Sequence, residues 1–311
     1  MEWIVEKNCK DYQYVESLFP LIKPILESQI EKAGLSTLEY VVITDSEDAQ
    51  YCNSVKKYAA NVGAEEDITQ DEQYSSVGKT LNGIDKAGKQ HQAILIKAWI
   101  WEKVAEEIDS LIGKEDVEKE KLIFRYYSKV LHEIGHAIDN EKLLRISCSL
   151  DKVMQQEPKD RLNGYKQTAL SLWGEYAAES FACNYAVIRR RSLMDSEQNL
   201  FECMESYSMG IEDRYLSERV YRILFFFMLR IAVLRQHANV TKERNYDYLR
   251  QDPRFSEYRP LLSKIELAIE NLEQDYPEWK SYDRLSELTI LIMAFLSFER
   301  SRQMRIILFG R

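Results

Sequence analysis

Two histidines four residues apart, with a glutamate directly after the first, stand in the stretch LHEIGHAID at 131–139. On an α-helix, positions i and i+4 lie one turn apart on one face, so His132 and His136 can aim their imidazoles at one point. Neutral histidine nitrogens bind zinc at about 2.0–2.1 Å, and this spacing suits two ligands of one ion. Glu133 lies at the edge of the same face. It is poorly aligned to be a third ligand and well placed to hold a water at the metal. The neighbours Val130, Leu131, Ile134, Gly135, Ala137 and Ile138 are all uncharged. A solvated helix face would not have this composition, and histidines among apolar residues need partners. Gly135 costs a helix about 1 kcal/mol relative to alanine, which makes sense if something packs closely on that turn. The bland alternative is a helix whose two histidines face solvent and pair with acids.

A catalytic zinc takes three protein ligands and keeps a fourth position open. Ser147, Cys148 and Ser149 follow the helix, and the next histidine is His237. The third ligand is therefore expected to be a carboxylate from a later helix. LWGEYAAESFACNYA at 172–186 offers Glu175 and Glu179, one turn apart among Trp173, Tyr176, Ala177, Ala178, Phe181 and Ala182. Two acids on a mostly apolar helix call for a counter-charge or a metal. Asp139 is a candidate acceptor for the second ring nitrogen of a ligand histidine, although an ordinary acid near a helix end fits it equally well.

HExxH followed by a glutamate on a second helix resembles the gluzincin arrangement of zinc metallopeptidases. Within it, Glu175-Tyr-Ala-Ala178-Glu179-Ser-Phe181-Ala182 resembles the third-ligand helix of the ImmA/IrrE-type metallopeptidase domain. The likeness covers the stretch around 120–187. It implies Zn2+ held by His132, His136 and Glu175, with Glu133 as the catalytic carboxylate. Glu179 would hold a histidine ligand by its other ring nitrogen. Glu133 would then take a proton from the attacking water and pass it to the leaving amine of a peptide. His237, Tyr176, Tyr185 and Tyr207 are candidates for stabilising the oxyanion, and the sequence does not choose among them. In zincins an edge strand ahead of the active-site helix pairs with an extended substrate, and AILIKAW (93–99) stands where that strand is expected; a plain core strand is the alternative. A competing reading is a zinc-binding regulatory or protein-interaction domain with little or no hydrolysis. Glu133 favours the enzyme, since a purely structural site has no need of a general base.

The elements that must position these residues read as follows. Apolar positions at helical spacing over 11–33 predict a helix closed by Gly34. EYVVITD (39–45) is rich in β-branched residues and predicts a strand. A short helix over 52–63, a strand and turn over 74–83, a strand from 90 and a helix over 102–113 follow. From 117 the pattern turns helical, with expected helices at 117–140, 141–157 and 165–191 and helical periodicity to the end. The fold class is α+β. A zincin-like, mostly helical unit with a small N-terminal sheet spans 1–193, and a helical bundle spans 194–311.

The remaining features exclude other classes. With 42 Lys and Arg against 51 Asp and Glu, the formal net charge is −9, which disfavours phosphate backbones, so no nucleic acid is expected. The charges of Arg189–Arg191 suit a helix C-terminus. Cys9, Cys52, Cys148, Cys183 and Cys203 form no CxxC pair and read as reduced thiols. No secretory pattern opens the chain, so a cytoplasmic location is expected. The apolar runs at 223–229 and 288–298 are too short for a membrane helix, which needs about 20 residues, and read as buried core. The expected partner is a peptide or protein substrate; the basic, amphipathic FERSRQMRIILFGR (298–311) of the C-terminal helical region either caps the bundle or binds a regulatory protein.

Overall fold

The computed structural model describes residues 1–10, 12–64, 77–101, 116–146, 161–185, 216–241, 256–279 and 282–309. The chain forms two compact units, Met1–Leu144 and Arg145–Arg311. The boundary expected at 193 lies outside the described residues, as do the helix expected over 102–113 and the arginines at 189–191. The described structure is mostly helical with one small mixed sheet.

The first unit is built on four strands, β1 (Glu2–Val5), β2 (Leu38–Thr44), β3 (Gly78–Ile84) and β4 (Gln90–Lys97), in the order β1-β2-β4-β3. β1, β2 and β4 run parallel and β3 runs antiparallel to β4. β1 was not anticipated, because four residues are too few to display a period. AILIKAW therefore does not form the edge. It is central, hydrogen-bonded to β2 on one side and β3 on the other. A strand covered on both faces reads as a continuous apolar run, and residues 92–98 are all buried. The edges fall to β1 and to GKTLNGI, and the two glycines and three polar residues of the latter make a poor central strand.

The phase of the β3–β4 ladder is set at both ends. Lys97 N–H donates to Val77 O and Asp85 N–H donates to Lys89 O, each at 2.9 Å. Opposed residues in an antiparallel pair alternate between bonded and non-bonded. The intervening residues Thr80 and Asn82 therefore turn their backbone groups away from β4, towards the outer edge. Among the described residues no strand pairs with that edge.

Helices cover both faces of the sheet. α1 (Tyr12–Ala33) ends at Gly34, with φ +66°, and its Phe19 ring lies 5.4 Å from Trp3 of β1. α2 (Asp48–Val62) packs Tyr51, Val55, Tyr58, Ala59 and Val62 on Val42, Leu81, Ala93 and Leu95. A Cβ on Gly83 would lie 2.0 Å from Val62 O, so this approach of α2 to β3 requires glycine. α3 (Asp116–Ile146) lies against the opposite face, where Gln92 of β4 donates to Ala137 O at 2.9 Å. The helix break expected at 140/141 does not occur, because α3 continues through Glu141 to Ile146. Asn140 and Glu141 both bond to the sheet side of the unit, which keeps the chain helical there. Residues 147–157 lie outside the described residues.

The second unit contains α4 (Arg161–Tyr185), α5 (Leu216–Thr241), α6 (Arg259–Gln274), a 3-10 turn (Tyr282–Leu285) and α7 (Ser286–Phe309). α4 packs on α5 and α7, and α6 on α7. Leu172, Trp173, Leu224, Phe227, Met228, Ile265, Ile269, Ile292 and Phe295 are buried. The runs at 223–229 and 288–298 thus supply bundle core. No helix among the described residues is long and apolar enough to cross a membrane.

Candidate metal centre

The α3 residues Val130, Leu131, Ile134, Ala137 and Ile138 are buried and hold the helix against its surroundings. The rotation this imposes leaves His132 and His136 half-buried. Their Nε2 atoms converge at 3.1 Å, with ring centroids 4.7 Å apart and planes at 87°. Two nitrogens at about 2.05 Å from one tetrahedral ion are about 3.3 Å apart, so the pair stands at the spacing zinc requires. Glu175 of α4, also half-buried, offers a carboxylate oxygen; that atom and the two histidine nitrogens lie within 4.8 Å of one another. Two imidazoles and one carboxylate are a donor set that suits zinc and leaves a tetrahedral ion one open position. These three residues, the ones the resemblance implies as ligands, form a group that could hold a metal ion.

Glu133, 9% exposed, turns to β3. The Thr80 hydroxyl lies 2.8 Å from Glu133 Oε2 and 2.9 Å from Glu133 O. A Cβ on Gly78 would lie 2.8 Å from Glu133 Cγ and 3.0 Å from its Cδ and Oε1. Neither residue was singled out in the sequence. The one available signal was a glycine alternating with a hydroxyl residue in a strand, a pattern that is common where nothing functional occurs.

The supporting acids divide. Asp139 is buried on α3. Glu179 is half-buried on α4 and accepts the Cys183 thiol at 3.8 Å. Burial, together with the Glu179 charge, pushes the Cys183 thiol well above its ordinary range, so Cys183 stays protonated. Of the oxyanion candidates, Tyr176 is buried and donates to Glu273, which also pairs with Arg235. Burial pushes this phenol well above its ordinary range. Its hydroxyl is committed within the second unit, and Tyr176 is withdrawn as an oxyanion donor. Tyr207 and the side chains of Tyr185 and His237 lie outside the described residues. Cys9, Cys52 and Cys183 are in no disulfide.

A second cluster holds the C-terminal half of α3. Glu141, 7% exposed, accepts four hydrogen bonds of 2.9–3.1 Å, from the backbone N–H and hydroxyl groups of Ser36 and Thr37. Gln92 Nε2 donates to Thr37 Oγ1 at 2.7 Å, and Asn140 Nδ2 donates to Gln92 Oε1 at 3.1 Å. Burial pushes the Glu141 carboxyl up, but the four donors outweigh it and hold the group below its ordinary value. This network ties α3 to the turn between α1 and β2. Its partners stand from 48 to 105 positions apart in the chain, beyond any local signal.

Compared with protein-family models, with curated proteins and with solved structures, the chain matches none of them.

Proposed function

We propose that the protein is a zinc-dependent metallopeptidase. The observation that carries this reading is the meeting of three features at one turn of α3. His132 and His136 point Nε2 to Nε2, and the neighbouring Glu133 carboxylate accepts a hydrogen bond from Thr80 of β3, whose outer edge pairs with no strand among the described residues. A structural site needs no general base beside it and no strand edge left unpaired among the described residues. Zinc, when bound, supplies a Lewis acid that polarises a carbonyl and acidifies water.

His132, His136 and Glu175 hold the ion through two neutral ring nitrogens and a carboxylate oxygen. Glu133 takes the proton of the attacking water and delivers it to the departing amine, acting as base and then acid. An extended peptide lies along β3, bonded to the outward N–H and C=O groups of Thr80 and Asn82. This replaces the sequence-based assignment of that role to 93–99.

Zinc per chain, measured by elemental mass spectrometry on the wild type and on Glu175→Ala, tests the ligand set. One zinc in the wild type and its loss from the variant are expected. Hydrolysis of a peptide library, with Glu133→Gln as control, tests the chemistry. Zinc binding with no difference in cleavage between the two proteins would leave a binding domain and end the peptidase reading.

A further inference from the structure

We propose that Thr80 and Gly78 on the edge strand position the Glu133 carboxylate. The inference rests on the metallopeptidase reading for its purpose, but its geometry stands within the first unit. In β3 positions 78 and 80 face the same side of the sheet, the side that α3 covers. Gly78 is buried and has no side chain because Glu133 occupies that space, with Cγ 2.8 Å from where a Cβ would be. Thr80 then fixes the far end of the same side chain, with its hydroxyl 2.8 Å from Oε2. A glutamate side chain has three torsions, and an unrestrained one would spread over several rotamers. The glycine removes the obstacle to one rotamer and the hydroxyl holds it.

The Thr80 hydroxyl carries one proton and faces two acceptors, Glu133 Oε2 and Glu133 O. Both belong to the same residue, so donation to either keeps β3 in register with that turn of α3. Thr80 is also a residue whose backbone faces the open edge. One strand residue thus pairs with the substrate backbone on its edge and holds the general base on its face. The reacting carbonyl and the carboxylate are placed from a single rigid element, where errors of about 1 Å cost rate heavily. Thr80 touches neither the reacting atoms nor the metal ligands, and acts only through Glu133.

The test uses the full-length, zinc-loaded protein with acetohydroxamate as probe. A hydroxamate chelates the ion through its oxygens and passes its proton to the carboxylate alongside, so its affinity reports the position of Glu133. Thr80→Val, which removes the hydroxyl and keeps the branched shape, is expected to weaken hydroxamate binding about tenfold. Zinc content should stay at one per chain. Thr80→Ser should return affinity to within about twofold of wild type. In a Glu133→Gln background, Thr80→Val should cost nothing further. Equal binding by wild type and Thr80→Val, or fully additive losses in the double variant, overturns the proposal.

A second arm needs no metal. In the metal-free protein Gly78→Ala is expected to lower Tm by about 4 °C or more, and adding Glu133→Ala should recover most of that loss. A loss that Glu133→Ala leaves untouched also overturns the proposal. Absence of zinc from the wild type would end the metallopeptidase reading alone, and the Gly78–Glu133 pair would still decide this one.

Discussion

Two buried glutamates stand on α3, two turns apart, and they are treated in opposite ways. Glu141 receives four donors, and one of the residues that supply them, Thr37, is held in turn by Gln92, which Asn140 holds. Among the described residues Glu133 receives one hydroxyl, on one oxygen, and lies beside an unpaired strand edge. Both pay for desolvation, but only Glu141 is repaid in full by neighbours. The difference separates an anchor from a working group. A carboxylate with both oxygens engaged is held as an anchor, whereas one fixed by a single bond on one oxygen keeps the other available to take a proton from water.

The largest effect should come from the working group. Glu133→Gln keeps shape and burial, so peptide cleavage should fall by about 10²–10⁴-fold with Tm and zinc content nearly unchanged. A comparable loss of stability in this variant would make Glu133 a second anchor and erase the contrast. Glu141→Ala should do the reverse. It strands the donors of Ser36 and Thr37, and stability in urea should drop by about 3 kcal/mol.

The effect of pH sharpens the same point. The folded-state pKa of Glu141 is depressed below its ordinary 4.5. Its contribution is therefore complete above the unfolded-state value and fades as pH falls through the lower folded-state value. Unfolding curves of wild type and Glu141→Ala should accordingly be far apart at pH 7 and draw together below about pH 4.

Smaller effects test the surroundings. Gln92→Leu removes the bridge between Thr37, Ala137 and Asn140, and should cost about 2 kcal/mol by equilibrium unfolding. A loss confined to zinc affinity would mean that the bridge serves the site more than the fold. The smallest change concerns the half-exposed ring of His91, which bonds Glu39 at 2.6 Å and Asp85 at 3.3 Å. The bond to Glu39, then that to Asp85, raises its pKa above 6.5. Its contribution is present in full below the unfolded-state value and disappears as pH rises through the higher folded-state value. His91→Gln should cost under about 1 kcal/mol at pH 6 and nothing at pH 9. This exposed histidine–acid cluster contrasts with both buried glutamates.

How far the sequence carried the reading can be seen residue by residue. His132, Glu133 and His136 were chosen by type and spacing and Glu175 through the resemblance, and one oxygen of Glu175 lies within 4.8 Å of the two histidine nitrogens. The strand at 38–44 and the helix beginning near 117 followed from composition and period. Three features escaped. The β4 run was expected at the edge and is central, because one apolar stretch suits either place. The break expected at 141 is absent, because Glu141 finds partners in Ser36 and Thr37. Thr80 and Gly78 gave only a common pattern, a glycine alternating with a hydroxyl residue, since their meaning comes from Glu133, over fifty positions away.

By itself the sequence determined the pairing of His132 with His136, because the helical period is local and brings i and i+4 together in any environment. It equally determined that apolar neighbours would bury this helix. Only the tertiary structure decided which strand lies free at the edge, which hydroxyl holds Glu133, and which glutamate is sealed. Those outcomes depend on sheet order and on register between segments distant in the chain, and such long-range choices are made by packing the whole unit at once.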